Sequence, residues 1–396
     1  MLYITHKVRL ITRTESQRKS LEQALEVSRS IYNAALEERV SAWSRSKIRI
    51  TRYDQQRSLT ALSGDDSLAG LPVNLLRWPL VKLNQSYNAF FKRVKAGQTP
   101  GHPRFRSKDR YHTFGYTDNQ CWKIHSERKV LHLSRIGWFR LRLHRSIEGN
   151  IRSLQIKREG RHWYALIGAA VSVSSNHPNP ESEIGIDAGI RHHLTLSTGE
   201  TVENLRLAER HSSKVRRAQR KLARAQKGSK GRRAAREALR KVKRKEANAR
   251  RTRAHQISAN LTQRYATIVV EKIQLNNMLR KASGTSSEPG SKVAQKRGLN
   301  RSLYDVAISN LYSNLDYKAE RAGGRVIYVD PRNTSQECSG CSAIVPKSLS
   351  QRRHVCACGV DLDRDHNAAL NVLNRGVAVP VGVKPTVTSA CLGKVV

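Results

Sequence analysis

The stretch Arg353–Leu373, RHVCACGVDLDRDHNAALNVL, decides how the rest of the chain is read. Two cysteines, an Asp-Arg-Asp and a helix-prone run of small residues follow one another without a break. Thiolates suit zinc, whereas carboxylate oxygens suit magnesium. The sequence therefore sets two metal sites of different chemistry side by side.

Working outward, Cys356 and Cys358 have a counterpart in CSGC, Cys338 and Cys341, across a spacer of fourteen residues. Two short cysteine pairs across such a loop predict a zinc ribbon, with one Zn2+ held by Cys338, Cys341, Cys356 and Cys358. The second pair is C-x-C rather than C-x-x-C, and Ser342 stands where a ribbon's knuckle often has glycine. His354 is an alternative ligand to Cys356. Four protein ligands leave no place for a water, so the expected role is structural. Cys121 and Cys391 stand alone and read as inert thiols.

Three acids form the second candidate site. Asp187 lies in EIGIDAGI, on a strand followed by small residues, and Glu271 ends the apolar strand ATIVVEKI. Asp365 opens the helix DHNAALNVL, whose Ala368 and Ala369 allow tight packing on a sheet. Carboxylates gathered from two strands and a helix can hold two Mg2+ about 3.5–4 Å apart, with positions left for phosphate and water. Taken singly, the three would be a turn residue, an ion-pair partner and a helix cap. Asp363 is better spaced to cap the helix, which leaves Asp365 as the ligand.

Charge narrows the partners. The 396 residues carry 73 Lys and Arg against 31 Asp and Glu, a net of +42. A surface so basic calls for a polyanion, and its spread over folded segments favours nucleic acid over an anionic membrane. No run reaches the roughly 18 apolar residues of a membrane span, and MLYITHKVRL lacks the apolar region of a signal peptide. The expectation is a cytoplasmic protein with no membrane partner, associated with the nucleoid of a bacterium.

Along the chain, YITHKVRLIT alternates like a strand, and TESQ at 14–17 has capping-box spacing before a helix. A turn-rich segment with one short helix follows, then a helix signalled after Pro79 by Leu80, Leu83, Tyr87, Phe90 and Val94. From residue 98 the texture turns to strands. The loop GQTPGHPRFRSKDR carries Arg104 and Arg106, WFRLRLHR alternates buried-type residues with Arg140 and Arg142, and LQIKREGRHWYALI reads as a hairpin turning at Glu159-Gly160. A linker at 174–183 precedes a second domain. There, residues 214–253 hold nineteen Lys and Arg against two acids, and KGSKG at 227–231 marks the turn of a helical hairpin. Arg217, Arg220 and Arg224 are its candidate phosphate contacts. A Gly/Ser-rich loop at 281–300, one amphipathic helix through Leu303, Val306, Leu311 and Leu315, and the strand RVIYVDP lead into the cysteines.

The motifs GIDAGI, VVEKI, NTSQECSGC, CACGVDLDRDHNAALNVL and PGHPRFRSK resemble the TnpB (OrfB-type) proteins of bacterial insertion sequences, relatives of the type V CRISPR effectors. The resemblance runs from the N-terminal strand to about Arg375. It implies an α+β multidomain chain: a wedge-type β-barrel (1–15 and 98–175), an inserted helical recognition module (16–97), and a RuvC nuclease domain of RNase H-like α/β fold (183–330 and 361–376). A zinc ribbon is inserted at 331–360, and 377–396 form a flexible tail. It further implies an RNA-guided DNA endonuclease, one protein per guide noncoding RNA, cutting double-stranded target DNA beside a short motif. Its catalytic acids fall on Asp187, Glu271 and Asp365, and its zinc ligands on the four cysteines. Tyr53 and Arg77 lie in the module where such a motif would be read. A nuclease-silent, RNA-guided or direct DNA-binding regulator would be marked by loss of an acid, and none is lost. A DNA-joining transposase would need a His-hydrophobic-His with a paired tyrosine, which is not apparent.

Overall fold

A computed structural model describes residues 2–61, 68, 70–174, 176–285, 288–348 and 350–378. Most of the expected tail, and Cys391 within it, lie outside the described residues. The chain forms two compact units, divided between Ser172 and Val173.

The first unit opens with β1 (Leu2–Ile11), α1 (Glu15–Ser46), α2 (Arg52–Ala61) and α3 (Val73–Lys95). It continues with β2 (Thr113–Gly115), β3 (Trp122–His125), β4 (Val130–Leu133), β5 (Gly137–Arg142), β6 (Asn150–Glu159) and β7 (His162–Val171). The expected capping box starts α1, with Thr14 and Gln17 each accepting from the other's backbone N–H. The seven strands form one antiparallel sheet in the order β2-β6-β7-β1-β5-β4-β3. The barrel expected here is thus an open sheet, whose edge strands β2 and β3 share no ladder. The β6–β7 hairpin turns at Gly160-Arg161, one residue later than predicted, since Glu159 still pairs with His162. In β5, Phe139 and Leu141 are buried while Arg140 and Arg142 are exposed, as the alternation predicts.

Pro79 does not start a helix; it lies inside α3, which begins after Pro72. The apolar stripe extends upstream through Leu75, Leu76 and Trp78, all buried. That burial, about 2 kcal/mol per large side chain, outweighs the roughly 3 kcal/mol a mid-helix proline costs.

The second unit is built on β8 (Glu183–Asp187), β9 (His192–Leu196), β10 (Thr201–Glu203), β11 (Thr267–Glu271) and β12 (Arg325–Val329), in the order β10-β9-β8-β11-β12. The first three strands are antiparallel neighbours, while β11 runs parallel to both β8 and β12. Between β10 and β11 the chain inserts the basic hairpin, α4 (Leu207–Arg224) and α5 (Lys230–Arg264), with Ser229 capping α5 at the predicted turn. After β11 come α6 (Leu275–Met278), α7 (Val293–Val306) and α8 (Ile308–Arg321). The single amphipathic helix expected here breaks at Ala307, whose left-handed backbone (φ 54°) ends α7 and starts α8.

Residues of α5 and α8 bury Ile184, Ile186, Ile268 and Val270 on one face of the sheet. On the other face lies α9 (Arg364–Val377), approached from a small ladder of β13 (Arg353–Val355) and β14 (Asp361–Asp363). Glycine makes that contact possible. A Cβ on Gly185 of β8 would meet the Ala369 carbonyl oxygen at 2.2 Å, and one on Gly376 would meet Val269 at 2.4 Å. Ala368 and Ala369 are buried, as their size predicts for tight packing. This close approach brings the start of α9 to the strand ends that carry the acids.

Candidate metal centres

Asp187 is the last residue of β8 and Glu271 the last of β11. Because Ile186 is the register partner of Val270, the two acids follow as neighbours at the carboxyl ends of parallel strands. Asp365 enters from the first turn of α9. Burial first, then the charges of Glu271 and Asp365, push the Asp187 carboxyl up to about 8; Asp363 adds to this and Arg364 opposes it. Burial likewise raises Glu271, against a hydrogen bond from Thr334 and the charge of Arg375. Asp363 caps α9, its carboxylate accepting from the Asp365 N–H at 2.9 Å, and lies 3.6 Å from Arg191. The cap and the candidate ligand are thus the two different residues that spacing predicts.

Sequence reading missed the groups that hold these acids in place. Thr334 Oγ1 donates to Glu271 Oε1 at 2.6 Å. On α9, Asn367, Asn371 and Arg375 recur every four residues and clasp the backbone ahead of the cysteines. Asn367 donates to the Glu337 carbonyl and accepts from the Ser339 N–H; Asn371 donates to the carbonyls of Thr334 and Glu337; Arg375 donates to those of Asp330 and Arg332. The visible signal was polar residues at helical spacing beside buried alanines.

The four cysteines do converge. Their sulfurs all lie within 4.8 Å of one another, with Cys338–Cys358 and Cys341–Cys356 both at 3.5 Å. A tetrahedral Zn–S shell with bonds of about 2.3 Å has edges of about 3.8 Å, so this spacing fits a bound zinc. Burial disfavours the Cys338 thiolate, but the N–H groups of Gly340 and Cys341 and hydrogen bonds from His354 and Cys358 bring it down to about 6. His354 stands outside the four-sulfur set; it is fully buried and hydrogen-bonds Lys347. Among the described residues, the cysteines are the one group of His, Cys, Asp or Glu ligand atoms this close together.

The candidate nucleic-acid contacts differ in their freedom. Arg104, Arg106, Arg140, Arg142, Arg217, Arg220 and Arg224 are exposed. The backbone of Arg106 is pinned to α1 by Asn33 and Arg29, leaving its side chain outward. Tyr53 is exposed beneath the Arg52 guanidinium, 4.6 Å from the ring centre. Arg77 is half-buried and ties α3 to α2 through Thr60. No helix among the described residues is long and apolar enough to cross a membrane.

Fold and site together define a two-unit α/β protein whose strand ends gather acids beside a four-thiol cluster able to bind a metal. Comparison with known proteins narrows the class. The OrfB family model of IS605 type, described as "Probable transposase", matches residues 167–282, and "Cas12f1-like, TNB domain" matches 309–372. A third model, the OrfB "Helix-turn-helix domain", matches 1–47, where the structure holds β1 and the single long α1. "Putative RNA-guided DNA endonuclease InsQ" of Escherichia coli K12 is 32% identical over 311 residues, 78% of this chain and 75% of that protein. A "Putative RNA-guided DNA endonuclease" of Streptomyces pristinaespiralis is 28% identical over 94% of this chain and 92% of its own length. Among solved structures, the Cas12f1 chain of a complex with sgRNA and target DNA covers 94% of this chain and 99% of its own, with TM-score 0.57 and 12% identity, a likeness of fold. The chain belongs to the TnpB (OrfB-type) family of insertion-sequence proteins.

Proposed function

We propose that this protein is the RNA-guided DNA endonuclease of a transposable element and cuts target DNA beside a short motif by two-metal-ion hydrolysis. One observation carries the nuclease reading: Asp187 and Glu271 end neighbouring parallel strands and Asp365 opens the helix packed on them, so that burial and the charges of Glu271 and Asp365 push Asp187 up to about 8. Like charges meeting at a sheet end are costly unless cations join them. The names of the relatives supply the guidance and the substrate. The strand order, with three antiparallel strands followed by two parallel ones, supports the RuvC (RNase H-like) assignment. On this reading the first sheet is the wedge module and residues 16–97 the recognition module.

Asp187, Glu271 and Asp365 would hold two Mg2+, whose oxygen preference they suit. When bound, the ions polarise the scissile phosphate and make hydroxide available near neutral pH. The residues of the chain then do the positioning. Thr334 fixes one Glu271 oxygen, Asp363 anchors the turn that carries Asp365, and Arg364 offsets charge near Asp187. The cysteines would hold one Zn2+ away from the chemistry. Arg217, Arg220 and Arg224, with Arg104, Arg106, Arg140 and Arg142, would grip the phosphates of guide RNA and heteroduplex, which protein recognises by A-form shape.

Protein expressed with its native flanking DNA is expected to copurify with one discrete RNA. Cutting should require that RNA, Mg2+ and an adjacent motif. Asp187→Ala, Glu271→Ala and Asp365→Ala should each abolish cutting while guide-dependent DNA binding survives. RNA-free protein cutting the same target equally well would overturn guidance. An active Asp365→Ala beside an inactive Asp363→Ala would overturn the choice of acid.

A further inference from the structure

We infer that the outward face of β3, β4 and β5 is a stacking site for an unpaired base of single-stranded RNA, built on Trp138. The alternation of β5 buries Phe139 completely and turns the larger indole of Trp138 outward, 55% exposed. Strand register sets Lys123, His132 and Trp138 in one row across three strands. The His132 ring lies 4.3 Å from the indole, centre to centre and inclined by 31°; His125 lies at 5.6 Å and 32°. Gln17 holds the backbone beneath, donating to the Trp138 carbonyl at 2.8 Å. The ring is thus fixed from one side and open on the other.

Charge around the ring selects the occupant. Lys123, Arg140 and Arg142 are exposed on the same face, and none of the outward positions of β3, β4 or β5 is acidic. An aromatic plate rimmed by cations is how sheet surfaces bind single strands: the base stacks and the phosphates meet the rim. The two imidazoles add nitrogens able to accept as well as donate, which Lys and Arg lack and a ribose 2′-hydroxyl can use. The choice of RNA rests on the guide-dependent reading above, since a folded guide presents unpaired bases in its loops.

The test uses nucleic-acid-free, full-length protein without Mg2+ or target DNA, so its result is independent of whether the protein cuts. A labelled 12-mer of riboadenylate is the probe, followed by fluorescence anisotropy. Trp138→Ala should weaken binding about 10-fold, as loss of one stacked base does. The slope of log K against log salt should stay unchanged, because no charge is lost. Trp138→Phe should retain part of the affinity, and both variants should keep the wild-type Tm because the ring is exposed. An abasic ribo-oligomer of equal length should bind wild type and Trp138→Ala alike. Arg140→Gln should instead lower the salt slope by about one. Unchanged 12-mer affinity in Trp138→Ala, or an equal loss on the abasic strand, would overturn the proposal. A larger loss for the deoxyadenylate 12-mer than for the RNA would move the site to single-stranded DNA and overturn it as stated.

Discussion

Cys338, Cys341, Cys356 and Cys358 bring their sulfurs within 4.8 Å of one another from one short stretch of chain, whereas Asp187, Glu271 and Asp365 reach the sheet end from three separate elements. The chemistry of the donors accounts for the difference. The sulfurs pack closely before any metal arrives, and, against its burial, the donors around Cys338 bring its thiol down to about 6. Carboxylates repel, and at this sheet end burial first, then the charges of Glu271 and Asp365, push the Asp187 carboxyl up to about 8. A cluster of four thiols that closes on its own leaves no room for substrate and suits structural zinc; carboxylates brought together from three elements suit ions that must also admit a phosphate. The two centres are nevertheless coupled. Thr334 touches Glu271, and Asn367, Asn371 and Arg375 bind the backbone that leads into the cysteines.

Breaking the closed centre should have the largest effect. Purified protein is expected to hold about one zinc per chain, and Cys338→Ser with Cys341→Ser should lose it. Because structural zinc supplies folding energy directly, the segment ahead of α9 should then unfold, and the backbone that Asn367, Asn371 and Arg375 hold is lost, which displaces the start of α9 and Asp365 with it. Cutting should fall by about 100-fold or more. Elemental analysis of freshly purified wild type showing no metal would sink this half of the comparison.

The open centre should announce itself through pH. Asp187 titrates near 8 in the folded protein and near 3.9 unfolded, so between those values the folded state holds a proton that the unfolded state has released. Metal-free stability therefore falls as pH rises from about 4 to 8, by on the order of 5 kcal/mol at the most. In EDTA, Asp187→Asn should be the more stable protein at pH 8, and its advantage should vanish near pH 4. Mg2+ binding must displace the proton, so apparent affinity should climb with pH up to about 8. A Tm difference between the two proteins that does not vary with pH would refute this origin of the shift.

The contact between the centres comes next in size. Thr334→Val deletes the hydroxyl that donates to Glu271 while keeping the side chain's shape. Groups that orient metal ligands typically matter 10- to 100-fold, so about a 10-fold rise in the Mg2+ needed for half-maximal cutting is expected. Zinc content should be unchanged and Thr334→Ser should restore wild-type behaviour. A drop in rate with no change in Mg2+ dependence would make Thr334 merely structural.

The same division runs through what could be read in advance. Local chemistry was legible: the Thr14–Gln17 capping box, the KGSKG turn of the basic hairpin, the alternation of β5 and the cysteine pairs each depend on residues close in sequence. The placement of Asp187, Glu271 and Asp365 was legible because strand ends and a helix start are local features too. Tertiary burial hid the rest. Pro79 sits inside a helix because Leu75, Leu76 and Trp78 are buried around it, and Ala307 breaks one amphipathic stripe into two helices that keep a common core. Thr334 acts on the Glu271 carboxylate and the asparagines of α9 act on backbone, in each case thirty or more residues away, which no local pattern shows.

Ser342 gives the smallest and most local test. The position was suspect from sequence because a knuckle there often has glycine, and the structure supplies the reason: Ser342 has φ 62°, in the left-handed region, and its N–H donates to the Cys338 carbonyl. A non-glycine residue in that conformation costs about 1 kcal/mol, because its Cβ crowds the following carbonyl. Glycine removes the clash but adds freedom to the unfolded chain, so the two effects partly offset. Ser342→Gly should therefore change stability by less than about 1 kcal/mol and leave cutting untouched. The informative readout is competition with a zinc chelator: a less strained knuckle should release metal more slowly than wild type. Faster release would mean that the serine contributes to holding the closed centre shut.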